Sequence, residues 1–470
     1  MFRFLICPDL NLRDTYVMTI FPTAFLTRVV IPLAGPALLG AGLALLVATS
    51  SFAQSDPALD QATRLMAERN PQAAYALLAP LEATRAGQPA FDYLLGVAAL
   101  DSGRISPAIF ALERVLAVQP GNALARAEIG RAYFAAGEAE NARSELAQVR
   151  AAPIPAEAAA AVDRLLGAIS QLQTQQTTQL RTYVEAGLGH DTNVNSATAS
   201  SAIAIPALGG LAFTLDPASR RAHDNFAQIG GGANLRVPLT PDLAFAANLA
   251  TSHTFNQDLE RFDTGLVDAS AGVSKTIGTH VISVAAQASA NWIGGSRFRD
   301  AWGALGQWQW NLSPREQASV FLQVTRLDYP GNTIRDADRY LVGAGYARAL
   351  AAGPVVFGSV YGGREESRRS GVPHLGHEFF GLRAGLQWQV AGAVTLFANA
   401  SYEGRRYGGA EPLFDRVRQD RQAGVVFGAH YAIAPSWRLT PQLSLTDNDS
   451  DVAIYAFRRN LASLVLRREF

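Results

Sequence analysis

Two hydrophobic periods divide the chain into an N-terminal and a C-terminal part. Residues 55–172 are rich in Ala and Leu and have a helical pattern. From Arg181 onward, apolar and polar residues alternate with a period of two, most clearly in the stretch 281–292. Alternation of this kind is typical of strands with one dry face and one wet face. The pattern therefore predicts a set of helices followed by a large sheet.

A repeat with a period of about 34 residues runs through the helical part, and this is the period of the tetratricopeptide repeat (TPR). Equivalent residues recur in the pairs Gly96/Gly130, Gly103/Gly137, Ala108/Ala142, Leu112/Leu146 and Val115/Val149. Small residues let two helices cross closely, and the large ones fill the space between them. We predict a TPR-like α-solenoid over residues 55–172. It would comprise two regular repeats, a degenerate leading repeat around Ala62, Ala74 and Leu78, and a capping helix from about Pro155 to Leu172.

A repeat array of this type offers a concave surface that binds peptides. Tyr93, Arg131 and Phe134 fall at positions that could face this surface, and they are the candidate client-binding residues. The alternative interpretation is that they only stack the repeats. Residues 173–180, which follow, are polar without an apolar period and are predicted to form a linker.

Short and long connections alternate along residues 181–470. Tight turns are predicted near Leu239, Gly278, Pro314, Ala352, Gly392 and Pro435. Long loops are predicted at Gln257–Asp263, Gly295–Asp300, Pro330–Asp336, Glu366–His374 and Arg405–Asp420, which are charged and rich in glycine. Six tight turns and a strand at each end predict fourteen antiparallel strands. Short turns on one rim and long loops on the other are typical of a transmembrane β-barrel, and an even strand number places both ends on the short-turn, periplasmic rim.

The final stretch, LASLVLRREF, predicts the closing strand of this barrel. Ala462, Leu464, Leu466 and Phe470 are expected to face lipid, and the edge is expected to pair with the first strand near Tyr183–His190. An unpaired edge would leave polar backbone groups in hydrocarbon. The stretch is also similar to the terminal signal that barrel-assembly machinery reads, except that Arg468 occupies an outward position. Six tryptophans in this part are candidates for interfacial girdles, namely Trp292, Trp302, Trp308, Trp310, Trp388 and Trp437.

An apolar run at Val29–Ala48, with small residues behind it, predicts a secretory signal peptide over residues 1–53 that is cleaved after Ala53. Met18 is an alternative start, and a membrane anchor is the alternative interpretation of the run. Beyond this segment no run of about eighteen apolar residues occurs, so no spanning helix is predicted. The single cysteine, Cys7, lies in the segment, and we expect a mature chain without disulfides.

Composition limits the chemistry further. The chain is 49% hydrophobic and 17% charged, with 40 basic and 40 acidic residues, so its charge gives no support for nucleic acid as a partner. It has no P-loop, Rossmann or G-x-S-x-G motif, and HLGHE at 374–378 matches no zinc pattern. The polar stretch after the first strand could line the lumen or build a turn, and its one carboxylate and two amides are too few for tight calcium binding. We expect no enzyme activity, metal or cofactor.

Three stretches together resemble the surface lipoprotein assembly modulator (Slam) family. They are the repeats at 96–153, an aspartate-x-asparagine-x-asparagine motif after the first strand, and an N-x-S-D-x-x-x-Y motif before the last strand. The matching barrel residues are Asp191, Asn193, Asn195, Asn448, Ser450, Asp451 and Tyr455. The resemblance implies a periplasmic TPR domain joined to a fourteen-stranded outer-membrane barrel. It also implies transfer of surface lipoproteins or small secreted binding proteins across that membrane.

The expected partners are a client lipoprotein or small secreted protein, outer-membrane lipid and lipopolysaccharide, the barrel-assembly machinery and periplasmic chaperones. The residues leave other functions open. A polysaccharide exporter of the repeat-plus-barrel type would have a lumen crowded with carboxylates or aromatics, and usually a longer repeat domain. A passive pore would not need the repeats, and an outer-membrane enzyme would need a Ser/His pair near the lipid rim.

Overall fold

The structure, a computed structural model, describes residues 56–351 and 353–470. The predicted signal peptide, residues 1–53, lies outside the described residues. The chain divides into two compact units, a helical one that ends at Thr177 and a sheet that begins at Thr178. No helix within the described ranges is long and apolar enough to cross a membrane.

The helical unit is a succession of antiparallel helices with short connections. Its helices are α1 (Pro57–Ala67), α2 (Pro71–Leu78), α3 (Glu82–Arg85), α4 (Pro89–Asp101), α5 (Ile105–Val118), α6 (Ala123–Ala135), α7 (Ala139–Ala151) and α8 (Ala156–Gln176). The linker predicted over residues 173–180 is wrong, because α8 continues to Gln176 and the first strand begins at Gln179. Glutamine is a good helix former, so the absence of an apolar period did not end the helix.

The predicted repeat is confirmed, and its small residues lie at helix crossings. A Cβ atom added to Gly96 would lie 2.7 Å from Cγ of Leu112, and one added to Gly130 would lie 2.8 Å from Cγ of Leu146. Any larger residue would push α4 from α5, or α6 from α7. The leading repeat is built in the same way, with Ala62, Ala74 and Leu78 fully buried. The helix-ending position also recurs, since Arg69, Gly103 and Gly137 all have positive φ.

Fourteen antiparallel strands close into a barrel, as predicted. The first strand, β1 (Gln179–Asp191), is followed by a separate hairpin of β2 (Ala202–Ile205) and β3 (Leu211–Thr214). The other barrel strands are β4 (Asp224–Pro238), β5 (Leu243–Asn256), β6 (Thr264–Ile277), β7 (His280–Ile293), β8 (Ser296–Ser313), β9 (Glu316–Asp328), β10 (Ala337–Ala349), β11 (Val355–Ser367), β12 (His377–Ala391), β13 (Val394–Glu411), β14 (Arg416–Ala434), β15 (Trp437–Ser450) and β16 (Phe457–Glu469).

The predicted tight turns lie between strands where the sequence predicts them, although Ala352 itself lies outside the described residues. Two of the five predicted long loops are wrong. Gly294 and Gly295 alone join β7 to β8, so Ser296–Asp300 belongs to a strand. Residues 412–415 alone join β13 to β14, so most of the loop predicted at Arg405–Asp420 is also strand. The charged residues of these stretches alternate between the two faces of strands that extend past the apolar band, which is why their composition is that of a loop.

The outer face of the barrel is apolar and carries the residues predicted to face lipid. Ala462, Leu464 and Leu466 are exposed on β16, and β16 pairs with β1 from Tyr183↔Glu469 to Asp191↔Leu461. The guanidinium of Arg468 lies over the rings of Trp437 and Phe470, at 5.4 and 4.7 Å from their centroids. Arg468 is thus solvent-accessible on the outer face but stacks on aromatic rings, which is typical of arginine at a membrane interface. The other exposed tryptophans are Trp302, Trp308, Trp310 and Trp388.

Candidate functional site

The three client-binding candidates of the helical unit make their contacts with other residues of the same unit. Arg131 donates to Asp101 at 2.8 Å and to Glu128, so two carboxylates offset its charge. Burial raises the pKa of the Glu128 carboxyl and of the Tyr93 hydroxyl beside it. Phe134 packs against the core between the last helices. The structure thus brings Tyr93 and Arg131 together around Glu128, and a role for the three candidates in client binding stays a prediction.

A groove between α2 and α5 is a further candidate surface that the sequence reasoning missed. It encloses about 540 Å³ and is lined by Tyr75, Glu82, Phe110, Glu113 and Arg114, among others. Phe110 is 62% exposed. The sequence did hold a signal, because the equivalent position in the next repeat is Ser144 and the repeat does not require an aromatic there. An exposed aromatic in a groove is a typical anchor for a protein partner.

The first barrel motif holds the segment after β1 against the last strand. Asp191 accepts a hydrogen bond from Nε of Arg459 on β16 at 2.8 Å. The side-chain amide of Asn193 donates to the carbonyls of Ala197 and Arg458, both at 2.9 Å. The motif therefore forms a turn, the second of its two predicted placements, and this turn lies at the long-loop rim.

Asn195 closes the other end of the same segment. Its Nδ2 donates to the carbonyl of Arg220 at 2.8 Å, and its Oδ1 accepts from the backbone N–H of Ala222 at 3.2 Å. Asn195 is 3% exposed. One side chain thus joins the start of the segment 192–223 to its end, which fixes the base of the β2–β3 hairpin.

The second motif organises the loop between β15 and β16. Nδ2 of Asn448 donates to the carbonyl of Tyr455 at 2.7 Å, and Oγ of Ser450 accepts from the N–H of Val452 at 3.3 Å. Oδ1 of Asp451 accepts from the N–H of Gln419 on β14 at 2.9 Å. All four motif residues therefore act in, or next to, one loop.

The two segments that the motifs organise meet in one buried apolar cluster, which we call the rim cluster. It consists of Ile203 and Leu215 from the segment 192–223, and Val452 and Ile454 from the β15–β16 loop, with Tyr455 packed against it. The guanidinium of Arg418 lies 3.5 Å from the centroid of the Tyr455 ring. The motif residues thus shape the rim above the β1–β16 junction. Among the residues in the described ranges, no three His, Asp or Glu side chains form a metal-binding group.

Two buried ion pairs, one on β13 and one on β14, lie in the lumen wall on the long-loop side. Glu403 accepts from Oη of Tyr361 at 2.9 Å and from Nε of Arg405 at 2.6 Å. Arg418 donates to both oxygens of Asp420, through Nε at 3.0 and 2.9 Å and Nη2 at 2.6 Å. Glu403, Arg405, Arg418 and Asp420 are all at most 6% exposed. Charges this deeply buried are stable only when paired, and here they rigidify the wall.

Comparisons with known proteins agree with this architecture. A family model described as surface lipoprotein assembly modifier matches residues 181–470, and a tetratricopeptide repeat model matches residues 99–165. No curated protein matches the chain.

Solved structures similar to this chain include both barrels and helical proteins. The toluene transporter TodX of Pseudomonas putida is 11% identical, and the match covers 62% of this chain and 89% of that chain with a TM-score of 0.34. OmpT of Vibrio cholerae is 9% identical, and the match covers 63% of this chain and 100% of that chain with a TM-score of 0.36. The type III secretion chaperone SycD of Yersinia enterocolitica is 17% identical, and the match covers 25% of this chain and 83% of that chain with a TM-score of 0.24.

A closed fourteen-stranded barrel with an apolar outer face, preceded by TPR helices, defines an outer-membrane barrel protein with a periplasmic repeat domain. Because the family model matches more than half of the chain, the protein belongs to the surface lipoprotein assembly modifier family. It lies in the outer membrane and serves the surface assembly or transport of lipoproteins.

Proposed function

We propose that this protein is a translocator. It would engage a lipoprotein, or a small secreted protein, in the periplasm through the TPR unit and deliver it across the outer membrane through the barrel. The observation that carries the proposal is the union in one chain of a family-matching barrel with a protein-binding repeat. The groove around Phe110 supports it, since it gives the repeat unit an open apolar contact in addition to the occupied residues around Arg131.

The lumen favours this proposal over a passive pore or an enzyme. A permanently open pore gains nothing from the buried ion pairs of Glu403, Arg405, Arg418 and Asp420, whereas a gated route needs a wall that keeps its shape. We propose that the protein performs no catalysis and that its role is recognition and passage. The same carboxylates are tied to arginines, which makes them poor contacts for a polysaccharide.

Deleting residues 56–176 tests the division of labour. We expect the barrel to insert, as judged by the altered gel mobility of unboiled protein. We also expect surface display of a lipoprotein encoded next to this gene to be lost, as judged by antibody labelling of intact cells. Normal display by the deleted chain would contradict a role for the repeat unit.

A matched pair of point variants narrows the test to the groove. Phe110→Ala removes the groove aromatic, and Leu124→Ala removes another exposed apolar side chain that does not line the groove. We expect display to fall by about tenfold in the first variant and to be unchanged in the second, since anchors in a groove carry most of the binding energy. Equal display by both variants would exclude the groove as the client contact.

A further inference from the structure

The connection between β1 and β4, residues 192–223, differs from the other barrel connections within the described residues, because it is the longest and it alone contains strands. Its first part, residues 192–198, is enclosed, and each residue from Asn193 to Thr198 is at most 3% exposed. This is unusual, since connecting segments normally run over the surface. Residues 199–218, which carry the β2–β3 hairpin, are mostly exposed. We call the first part the base and the second part the arm.

The base turns toward the lumen. Asp191 belongs to the inward set of β1, since the alternate set carries the exposed, outward-facing Leu188. Asn193 continues the inward set. Its Oδ1 accepts from the N–H of Ala197 at 3.1 Å, and its Nδ2 donates to the carbonyl of Ala197 at 2.9 Å. An inward side chain thus holds Ala197 on the inner side of the wall, which explains why the base is buried.

The β15–β16 loop also leans over the lumen. On β14, Arg416 and Arg418 alternate with the outward-facing Val417, so both arginines belong to the inward set. Nη1 of Arg416 donates to the carbonyl of Asp451 at 3.1 Å, and the guanidinium of Arg418 lies 3.5 Å from the centroid of the Tyr455 ring. Two inward arginines therefore hold this loop on the inner side of the rim.

The arm packs on this loop and extends beyond it. Ile203 and Leu215 are its members of the rim cluster, and both are buried there against the β15–β16 loop. At the tip of the arm, the N–H of Ala207 donates to the carbonyl of Leu413, in the turn between β13 and β14, at 3.2 Å. The arm thus starts at β1 and passes β16, β15 and β14 before its tip makes this contact.

The contact between the arm and the rim is small. Within the described residues, β2 and β3 form a sheet of their own and pair only with each other. A two-stranded hairpin has little stability by itself. The rim cluster and the hydrogen bond at the tip hold it in place. Elements with few buried apolar contacts are those that open locally while the rest of a fold stays intact.

We propose that the arm is a gate at the long-loop mouth of the barrel. In the closed state, which is the state of this structure, the arm lies across the mouth between β1 and the β13–β14 turn. In the open state the tip and Ile203 leave the rim, while Asn193 and Asn195 keep the base in place. The β1–β16 junction is then undisturbed by the motion. This inference goes beyond the proposed function, because it concerns closure of the lumen to any solute.

Ion conductance of the purified full-length protein in planar lipid bilayers tests the gate. Replacing residues 202–214 by two glycines removes the hairpin, and the N–H of Leu215 already donates to the carbonyl of Ser201 at 2.9 Å, so the new ends lie close together. We expect the mean conductance to rise about tenfold, because an open state populated to at most about 10% becomes the prevailing state. Equal conductance of this variant and the wild type would overturn the proposal.

The control for this deletion shortens another connection of the same rim. Residues 331–334 lie between β9 and β10 and are not part of the rim cluster. Their replacement by two glycines should leave the conductance unchanged. An equal rise in the control would overturn the proposal, since any shortened loop would then have the same effect.

A disulfide at the tip tests the same motion with the arm present. Ala207→Cys combined with Leu413→Cys places thiols on the two residues whose backbones are hydrogen-bonded there. The single cysteine of the chain, Cys7, lies in the predicted signal peptide, so no other thiol competes in the predicted mature chain. We expect oxidation to abolish single-channel openings and reduction to restore them. Openings that persist in fully cross-linked protein would overturn the proposal.

Two point variants on opposite strands of the hairpin form a matched pair. Ile203 is 5% exposed in the rim cluster, whereas Leu211 is 64% exposed. Ile203→Ser should raise the mean conductance severalfold, because it removes apolar burial that only the closed state has, and Leu211→Ser should not. Equal effects of the two changes would overturn the proposal, and this pair decides if the hairpin deletion does not insert. Loss of client display with wild-type gating would contradict the proposed function alone.

Discussion

The carboxylate of Asp191, the last residue of β1, accepts a hydrogen bond from Nε of Arg459 on β16 at 2.8 Å. These strands are the two ends of the barrel, and theirs is the one pairing between adjacent barrel strands that no connecting segment of chain reinforces. The ion pair therefore lies where closure of the sheet depends on noncovalent contacts alone. It secures the long-loop end of the junction, and the pair of Glu185 with Arg467 secures the other end.

Asp191→Ala should weaken the closed barrel. The change leaves a largely buried guanidinium without its partner, which costs about 3 kcal/mol. The measurement is the temperature at which unboiled protein loses its folded gel mobility. Asp447→Ala is the control, because its partner Arg458 is 80% exposed and surface pairs contribute at most about 1 kcal/mol. An equal fall of this temperature in both variants would contradict a special role for the β1–β16 junction.

Asn195→Ala should loosen the base of the segment 192–223. The side chain holds the carbonyl of Arg220 and the N–H of Ala222, so its removal frees the peptide bonds around Arg221. We expect trypsin to cut folded protein there at least about tenfold faster, since local opening governs cleavage of folded chains. Ser201→Ala, an exposed change in the same segment, serves as control. An unchanged cutting rate in Asn195→Ala would show that the amide does not hold this base.

Gly96→Ala should destabilise the helical unit although alanine favours helices. The added methyl would lie 2.7 Å from Leu112, and overpacking of this kind costs about 1–3 kcal/mol. Thermal loss of the helical circular dichroism signal measures the effect. Gly121→Ala is the control, since nothing lies within 4 Å of its added Cβ atom. Leu112→Ala should cost less stability in the Gly96→Ala background than in the wild-type protein, and equal costs in the two backgrounds would place the strain elsewhere.

The sequence predicts features that depend on neighbours along the chain. Repeat spacing finds the crossing of Gly96 with Leu112, because both residues recur one period later. Alternation and turn residues give the strand number and the lipid-facing side of β16. Local composition gives a wrong prediction at Gly295–Asp300 and Arg405–Asp420, because a loop and a strand outside the apolar band can have the same composition. Charged, glycine-rich segments are typical of loops, yet here the strands continue beyond the apolar band and place those charges on their two faces.

The sequence does not predict contacts between distant segments. Asn193 and Arg458 are 265 positions apart, and only barrel closure brings them together. The family motifs could therefore be found as residues, whereas their shared task at the rim cluster could not.

Glu128 gives the helical unit a specific pH dependence. Burial raises the pKa of its carboxyl above the ordinary value for glutamate, while the charge of Arg131 lowers this pKa and that of Asp101 raises it further. The folded state thus binds this proton more tightly than the unfolded state does. The resulting stabilisation is present below the unfolded pKa and is lost as the pH rises through the folded pKa. Stability of the wild-type unit, relative to a variant without the charge, should therefore decline from acidic to neutral pH.

Glu128→Gln provides that variant, since glutamine keeps the shape and still accepts a hydrogen bond from Arg131. The melting temperature of the helical circular dichroism signal should exceed that of the variant most at about pH 4 and less at about pH 7, because a carboxyl with a raised pKa loses its proton between these pH values. Glu157→Gln, which changes an exposed carboxyl of α8, should show no such trend. An advantage that grows toward neutral pH would mean that Arg131 outweighs burial and holds Glu128 ionised in the folded unit.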